Sequence, residues 1–272
     1  MLKSLFNWFL QRLPINEFIA RHLTQYYLPK NLNFWYFFGS LALFLLFLQV
    51  LTGLWLTMFY TPTPEAAFNS IETMMREVPY GWLLRYLHST GASAFFIIIY
   101  CHIFRSLLYG SYKKPRELVW LLGMGLYVLL LIEAFMGYLL PWGQTSHWAS
   151  QVSTSLLSSI PRIGPVLTTW VRGNSIVSGE ILHRFFALHI IGIPLFLIFL
   201  VRLHLAALHK VGSNNPDGIF IREKSPPDKK SLCTVPFHPF YTVKELFALL
   251  IFLFIFSLVV FFSPEMYGYF LE

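Results

Sequence analysis

Charged residues are scarce in this chain. Only 12% of its 272 residues are Asp, Glu, Lys or Arg, whereas 56% are hydrophobic and 28 are Phe. A typical soluble domain carries about twice that charged fraction. The composition therefore excludes an ordinary soluble domain and indicates an integral membrane protein.

Cysteine is also rare. The chain has two, Cys101 and Cys233, and neither belongs to a C-x-x-C-H run, so any prosthetic group would be held by coordination alone. Cys101 lies within an apolar segment, where a cysteine usually packs as a small hydrophobic residue.

Long apolar runs take the place of charge. Four stretches have no charged residue at all: residues 31–64, 86–104, 185–201 and 246–264. Each approaches or exceeds the roughly 20 residues that cross a bilayer as a helix. We predict an all-α integral membrane fold with five transmembrane helices, at residues 34–59, 82–109, 117–140, 181–207 and 245–262. Amphipathic residues 2–13 favour an interfacial helix rather than a cleaved signal.

Lys and Arg are unevenly distributed between the segments that flank these helices. With the N-terminus inside, fifteen of the 20 fall in inner segments. The five on the outer side are Arg76, Arg85, Arg162, Arg172 and Arg184. The positive-inside rule therefore predicts a cytoplasmic N-terminus and an outer end for residue 272. The net charge of +7 then reflects the orientation of the chain in the membrane and does not indicate nucleic-acid binding.

Two pairs of histidines lie in separate apolar segments, and a membrane-buried imidazole is functional by default. His88 and His102 are 14 residues apart, which places them about 40° apart around an α-helix and roughly 21 Å apart along it. His189 and His204 form a second pair. Two such helices can clamp two iron porphyrins, each with one imidazole from either side, because iron accepts imidazole as an axial ligand.

Glycines repeat the same spacing on the other two helices. Gly39 and Gly53 are 14 residues apart on the first helix, and Gly123 and Gly137 are 14 apart on the third. Close helix–helix packing is the usual reason for such glycines. Their agreement with the histidine spacing instead favours gaps at which porphyrin faces or edges approach the backbone. A four-helix bundle that holds two haems is thus predicted.

The second histidine pair departs from this symmetry. His189 and His204 are 15 residues apart, which leaves them about 60° apart in the opposite sense on a regular helix. Pro194 lies between them. We therefore predict a proline kink or a locally wide turn that absorbs the extra residue.

Several motifs in this chain resemble cytochrome b of the ubiquinol–cytochrome c reductase, respiratory complex III, in its proteobacterial form. They are Arg85-Tyr-Leu-His88, His102-Ile-Phe-Arg105, Gly137-Tyr-Leu-Leu-Pro-Trp-Gly-Gln144, Arg184-Phe-Phe-Ala-Leu-His189, His209-Lys-Val-Gly-Ser-Asn-Asn-Pro216 and Pro236-Phe-His-Pro-Phe-Tyr-Thr-Val-Lys244. The longer spacing of the second histidine pair also occurs in that form.

The resemblance implies two haem b groups with paired histidine ligands. His88 and His189 would hold the low-potential haem near the outer face, and His102 with His204 the high-potential haem near the inner face. Arg85, Arg105 and Arg184 occupy positions where the family pairs cations with haem propionates. Without the resemblance, snorkelling at a helix end explains Arg85 and Arg105 equally well.

The resemblance also implies two sites for ubiquinone and ubiquinol. The inner site would use His209, Lys244, Glu245 and Asn33, with Glu245 where the family often has Asp. Taken alone, the basic residues there are explained as a cluster that interacts with anionic lipid headgroups.

The outer site would use Tyr138 and residues 141–151, together with Glu133. Glu133 is the one carboxylate deep in a predicted helix. It either takes protons from quinol or hydrogen-bonds a neighbouring helix.

A proton-translocating Q cycle in a bacterial inner membrane follows by analogy. The implied partners are a Rieske iron–sulfur protein and a membrane-anchored c-type cytochrome, in a dimeric complex. Four units are expected: an interfacial helix at residues 1–30, the di-haem bundle at 31–210, an inner loop at 211–243, and a fifth helix with its outer end at 244–272.

The family also has three further helices and a Pro-Glu-Trp-Tyr-like segment, which this sequence lacks. We expect them on a separate chain, or else this sequence is part of a longer product. Three alternatives stay open: a plastoquinol-oxidising split relative, a di-haem electron carrier without a complete quinol-oxidising site, and a non-enzymatic membrane protein. The first is disfavoured because its haem-attaching cysteine would fall near Phe37, where this chain has none.

Overall fold

The structure is a computed structural model, and it describes residues 20–218 and 233–264 together with Trp8, Arg12, Leu13 and Glu17. The helices are α1 (Phe38–Leu56), α2 (Ala67–Glu77), α3 (Gly81–Leu108), α4 (Glu117–Leu139), α5 (Gln144–Ser158), α6 (Gly164–Arg172), α7 (Gly179–Ala187), α8 (Ile193–Val211) and α9 (Thr242–Phe262). A 3₁₀ turn at Phe34–Phe37 precedes α1. A π-helical segment at Leu188–Gly192 joins α7 to α8, and others lie at Ala20–Thr24 and Phe237–Tyr241.

Five of these helical stretches are long and apolar enough to cross a membrane: Phe34–Leu56, Gly81–Leu108, Glu117–Leu139, Gly179–Val211 and Phe237–Phe262. They confirm the five predicted spans to within a few residues at most ends. The fifth begins eight residues earlier than predicted, because the π-helical segment Phe237–Tyr241 leads directly into α9. Large apolar side chains such as Phe47, Phe199 and Phe254 are exposed along these helices, as a lipid-facing surface requires.

The spans pack as two halves that face each other. In one half α1 packs along α3, and in the other α4 packs along α8. A shared core of Leu41, Leu45, Phe95, Ile98 and Leu130 joins α1, α3 and α4. The fifth span, α9, packs on the outside of α3. The architecture is therefore the predicted four-helix bundle with a fifth helix beside it.

A two-stranded antiparallel sheet lies at the end of the bundle that is predicted to be inner. Its strands are β1 (Tyr27–Pro29) and β2 (Thr234–Pro236), and Leu28 pairs with Val235. The Tyr241 hydroxyl donates to the Pro29 carbonyl and closes a small core with Leu28 and Leu32. The last residues of the predicted N-terminal unit, Tyr27–Pro29, therefore form a strand that pairs with one more than 200 positions away.

Most of the predicted interfacial helix lies outside the described residues, as do positions 219–232 of the predicted inner loop and the outer end beyond residue 264. Short helices that the hydropathy pattern missed lie at the other end of the bundle. They are α2, α5 and α6, and each has buried residues on one face, such as Ala67 and Met74 of α2. We call this end, which also carries His88 and His189, the outer end. The end with the sheet, His102 and His204 is the inner end.

Candidate functional site

The bundle brings the histidines together in two pairs, each with one member from either half. The ring centres of His88 and His189 are 6.2 Å apart, and those of His102 and His204 are 6.4 Å apart. A metal bonded to an imidazole nitrogen on each side, at about 2 Å per bond, requires ring centres roughly 6 Å apart. Both pairs therefore fit an iron clamped between two imidazoles, as in a bis-histidine haem.

The second ring nitrogen of each outer histidine has an oxygen neighbour. Thr52 Oγ1 lies 2.9 Å from Nδ1 of His88, and it donates its own proton to the Leu48 carbonyl at 2.7 Å. Nδ1 of His189 lies 3.0 Å from the backbone carbonyl oxygen of Glu133 and 3.0 Å from its side-chain Oε1. Because Nδ1 donates its proton to these oxygens, Nε2 keeps a lone pair that can bind a metal.

Each of the four predicted glycines faces one of these imidazoles. A Cβ added at the glycine would meet the Cε1 atom of the ring opposite. The pairs are Gly39 with His102 at 3.2 Å, Gly53 with His88 at 3.0 Å, Gly123 with His204 at 3.2 Å and Gly137 with His189 at 2.5 Å. In the structure the ring of a ligand histidine lies against each gap, so each glycine accommodates one histidine. The approach of a porphyrin at these gaps stays a prediction.

A wide turn accounts for the longer spacing of the second pair. Leu188–Gly192 is π-helical, and the Ile193 amide donates to the Leu188 carbonyl five residues back. Such a segment accommodates one residue more than an α-helical turn, so the 15 positions from His189 to His204 act as 14. Pro194 follows at once, near the start of α8. The prediction of a wide turn next to Pro194 is confirmed.

A cavity of about 380 Å³ lies between α1, α3, α4 and α8 at the inner end. Its wall includes both inner imidazoles, His102 and His204. It also includes charged and polar groups that extend toward the sheet, among them Arg105, His209 and Glu245. The cavity therefore combines an apolar space beside the imidazole pair with a polar compartment.

The three arginines predicted at the propionates have different surroundings. The Arg105 guanidinium lies 4.7 Å over the Tyr36 ring, with Nη2 3.5 Å from Nδ1 of His102. Its buried Nε has no hydrogen-bond partner among the described residues, so an anion would satisfy it. Arg85 lies close to His88 on α3. Both positions suit an anionic group next to an imidazole pair.

Arg184 differs from them, because it is exposed. Its guanidinium lies against Gly173 and close to Glu180 at the protein surface. This position does not support its predicted role at a propionate.

The four residues predicted for the inner quinone site do not share one wall. His209 and Glu245 line the cavity, and the Glu245 carboxyl group lies against Ser40. Lys244 is exposed, with its ammonium 5.1 Å from the ring centre of Tyr241. Asn33 accepts from the Trp35 amide at 3.3 Å and donates to the Tyr109 hydroxyl at 2.9 Å. Neither Lys244 nor Asn33 is part of the cavity lining, so their predicted contact with quinone stays a prediction.

Two lining residues were missed by sequence reasoning. Tyr26 stacks on His209, with ring centres 4.4 Å apart and planes 22° apart. Burial raises the pKa of Tyr26, so the phenol keeps its proton. Tyr241 also faces the cavity from the start of the fifth span. The motif around Tyr241 marked that residue, but nothing in the local sequence of Tyr26 indicates a partner so distant in the chain.

The residues predicted for the outer site do not converge. Tyr138 is 45% exposed, whereas the Glu133 side chain is 14% exposed and contacts His189. Positions five residues apart on an α-helix point in directions that differ by about 140°, so the side chains of Glu133 and Tyr138 leave α4 on different sides. Of the two roles considered for Glu133, the hydrogen bond to a neighbouring helix is the one observed.

The segment that follows α4 packs tightly at the outer end. Leu139 is fully buried with Val177, Ile181 and Phe185. The Tyr60 hydroxyl donates to the Leu140 carbonyl at 2.6 Å, and burial raises the pKa of that phenol. These contacts connect the end of α1, the end of α4 and the start of α7.

Comparison with known proteins gives a consistent result. The family model described as Cytochrome b/b6/petB matches residues 23–212. The chain is 53% identical over 270 residues to a cytochrome b of Allochromatium vinosum, which covers 98% of this chain and 65% of that protein. It is 47% identical over 266 residues to a cytochrome b of Rickettsia conorii, again over 98% of this chain and 65% of the relative.

A solved structure is also similar. A chain of a hyperthermophilic respiratory complex III superposes with a TM-score of 0.86 at 37% identity, over 95% of this chain and 67% of that one. The present chain thus spans 65% of the length of these two curated relatives.

Proposed function

Because the chain belongs to the cytochrome b/b6 family, we propose that its two imidazole pairs hold two haem b groups that carry electrons across a membrane. His88 and His189 are the ligands at the outer end, and His102 with His204 those at the inner end. The observation that carries the proposal is the 6.2 Å and 6.4 Å separation of the facing rings. When bound, the haems supply one-electron carriers at two depths in the membrane.

The side chains around the pairs have defined tasks in this proposal. Thr52 and Glu133 accept the Nδ1 protons of the outer ligands and so fix the orientation of both rings. Arg85 and Arg105 offer guanidinium groups to the haem propionates. The four glycines leave the room that each imidazole needs.

The polar compartment of the inner cavity, next to the space that the inner haem would fill, is proposed as the site of quinone reduction. An imidazole and a carboxyl group face it from different elements, so two proton donors are available to a quinone bound between them. They are His209 and Glu245. Tyr26 covers one face of the His209 ring and holds it toward the cavity. Ubiquinone is the proposed substrate, by the resemblance to respiratory relatives.

The remaining parts of the assignment follow from family membership. We propose an outer quinol-oxidising site that includes Tyr138 and residues 141–151, and a Q cycle that moves protons outward. The proposed partners are a Rieske iron–sulfur protein, a membrane-anchored c-type cytochrome and a chain that supplies the remaining helices, in a dimeric complex. The location is a bacterial inner membrane, as for the bacterial relatives.

Replacement of one ligand in each pair tests the haem assignment. His88→Ala and His204→Ala should each remove roughly half of the dithionite-reduced α-band absorbance, since each variant loses one of two haems. His183→Ala is the matched control, because His183 is exposed on α7 and belongs to neither pair. Full absorbance in both ligand variants, or no α-band in the unaltered protein, contradicts the proposal.

The inner quinone site has its own test. Glu245→Gln should slow reoxidation of the reduced haems by added quinone by roughly 100-fold, the typical contribution of a proton-transferring group, with both haems retained. Glu117→Gln is the control, because that carboxylate is exposed at the same end and lies outside the cavity lining. Equal reoxidation rates in both variants would remove Glu245 from the site.

A further inference from the structure

Glu133 makes a contact that the proposed electron path does not explain. It lies within a membrane span, six residues before its outer end, where a carboxyl group is costly to bury. Its Oε1 is 3.0 Å from Nδ1 of His189, and the two side chains are 14% and 15% exposed. Its other oxygen, Oε2, is buried and has no hydrogen-bond partner in the part of the chain that the structure describes. The contact with His189 is therefore the one described interaction that accounts for the acid at this depth.

The neighbours of the other histidines differ in charge. His88, which faces His189, has the neutral hydroxyl of Thr52 at its Nδ1. At the inner end, Nδ1 of His102 lies 3.5 Å from the Arg105 guanidinium, which is a cation. The outer pair thus has oxygen acceptors on both rings, one of them on a carboxyl group. An arginine lies near one ring of each pair, Arg85 near His88 and Arg105 near His102, so the carboxyl group is the feature that distinguishes the outer pair.

An oxygen that accepts the Nδ1 proton changes the metal bound at Nε2. It makes the imidazole a stronger electron donor and holds the ring in one orientation. Stronger donation favours oxidised iron, so it lowers the reduction potential. A cation near the ring acts in the opposite direction, and a low local dielectric strengthens both effects.

We propose that Glu133 is a positioning residue that orients His189 and lowers the reduction potential of the outer haem below that of the inner haem. The inference rests on the proposed function, because it requires haem at both imidazole pairs. It assigns the lower potential of the outer haem to a group of this chain, the carboxyl group that contacts the outer ligand His189. The side chain acts through His189 and does not itself contact quinol.

A redox titration of the assembled complex tests the proposal. In Glu133→Gln the outer haem should become easier to reduce by about tenfold in its equilibrium constant, or about 59 mV for a one-electron couple. The inner haem should keep its potential and serves as the internal reference. The electron paramagnetic resonance signal of the oxidised outer haem should also shift, because a weaker acceptor lets the His189 ring turn.

Thr52→Val is the matched comparison, since it removes a neutral acceptor from the opposite ligand. We expect it to raise the same potential by less than Glu133→Gln does. Glu133→Asp is the second variant where Gln impairs assembly, and it should shift the potential in the same direction because its shorter side chain reaches His189 less well.

The outcomes separate this proposal from the proposed function. Two haems with unaltered potentials in Glu133→Gln and Glu133→Ala overturn the proposal, because the backbone carbonyl of Glu133, also 3.0 Å from Nδ1, would then be the effective acceptor. An equal shift of both haems overturns it as well. Absence of haem from the unaltered protein contradicts the proposed function instead.

Discussion

At the residue scale, four glycines of this bundle face imidazole rings of the adjacent helix. The space is smallest at Gly137, where a Cβ would lie 2.5 Å from Cε1, 3.0 Å from Nε2 and 3.1 Å from Nδ1 of His189. Three atoms of one ring surround the position. His189 cannot turn away easily, because its Nδ1 is held by Glu133 on the same helix as Gly137.

Gly137→Ala should therefore displace His189 and reduce the outer haem content by more than half, while the inner haem remains. Gly125→Ala is the matched control on the same helix, because a Cβ there meets only Leu200, at 3.9 Å. The measurement is the reduced α-band absorbance per protein in both variants. Equal haem content in the two variants would contradict the role given to Gly137.

At the element scale, the π-helical segment Leu188–Gly192 sets the rotation between the two histidines of the fourth span. On a regular helix, 15 residues would leave His189 and His204 about 60° apart, so they could not both face the other half of the bundle in the same way as His88 and His102. One inserted residue in a wide turn removes this difference. Pro194 favours the wide turn, because it has no amide proton to donate to the turn before it.

Deletion of Ile191 should leave both haems in place, because the spacing becomes 14 and a regular helix then aligns the pair. Ile191 is 60% exposed, so its removal costs little packing. Deletion of Ile198 is the comparison: it also leaves 14 positions, but it keeps the wide turn Leu188–Gly192 and shortens regular α8. His204 should therefore turn by about 100°, with loss of the inner haem. Haem content by absorbance distinguishes the two. Loss of a haem from the Ile191 deletion would show that the wide turn has another purpose.

At the scale of the whole molecule, the orientation of the bundle in the membrane sets the direction of the proposed electron path, and the distribution of Lys and Arg predicts that orientation. The sheet, the inner cavity and Cys233 all lie at the inner end, where the Lys30 amide donates to the Cys233 carbonyl at 3.0 Å. The positive-inside rule predicts that this end faces the cytoplasm. The two natural cysteines report on it, because Cys233 is exposed and Cys101 lies within α3, partly buried.

A membrane-impermeant maleimide should label Cys233 in inside-out vesicles and leave it unlabelled in right-side-out membranes. Cys233→Ser should abolish the signal, which identifies the labelled residue and shows that Cys101 does not react. Labelling of Cys233 from the outer side would reverse the predicted orientation and, with it, the assignment of the two haem positions to membrane faces.

Patterns within single segments of the sequence were sufficient to predict some features of the structure. Hydropathy located the five spans, and equal spacing of His88–His102 and the glycine pairs predicted a bundle with facing ligands. The extra residue before His204, read with Pro194, predicted a wide turn. Each of these depends on periodicity within one helix, which the sequence expresses directly. Amphipathic helices such as α2 were missed because hydropathy averaged over about 20 residues detects only long apolar segments.

The sequence by itself thus determined the membrane class, the spans and the candidate ligands, because these depend on composition and helical period. Only the tertiary structure decided that Glu133 contacts His189, that each glycine faces an imidazole, and that Lys244 and Asn33 lie outside the inner cavity. These contacts depend on the rotation and register of one helix against another. That geometry is set by the packing of many side chains together, so no single segment of the sequence contains it.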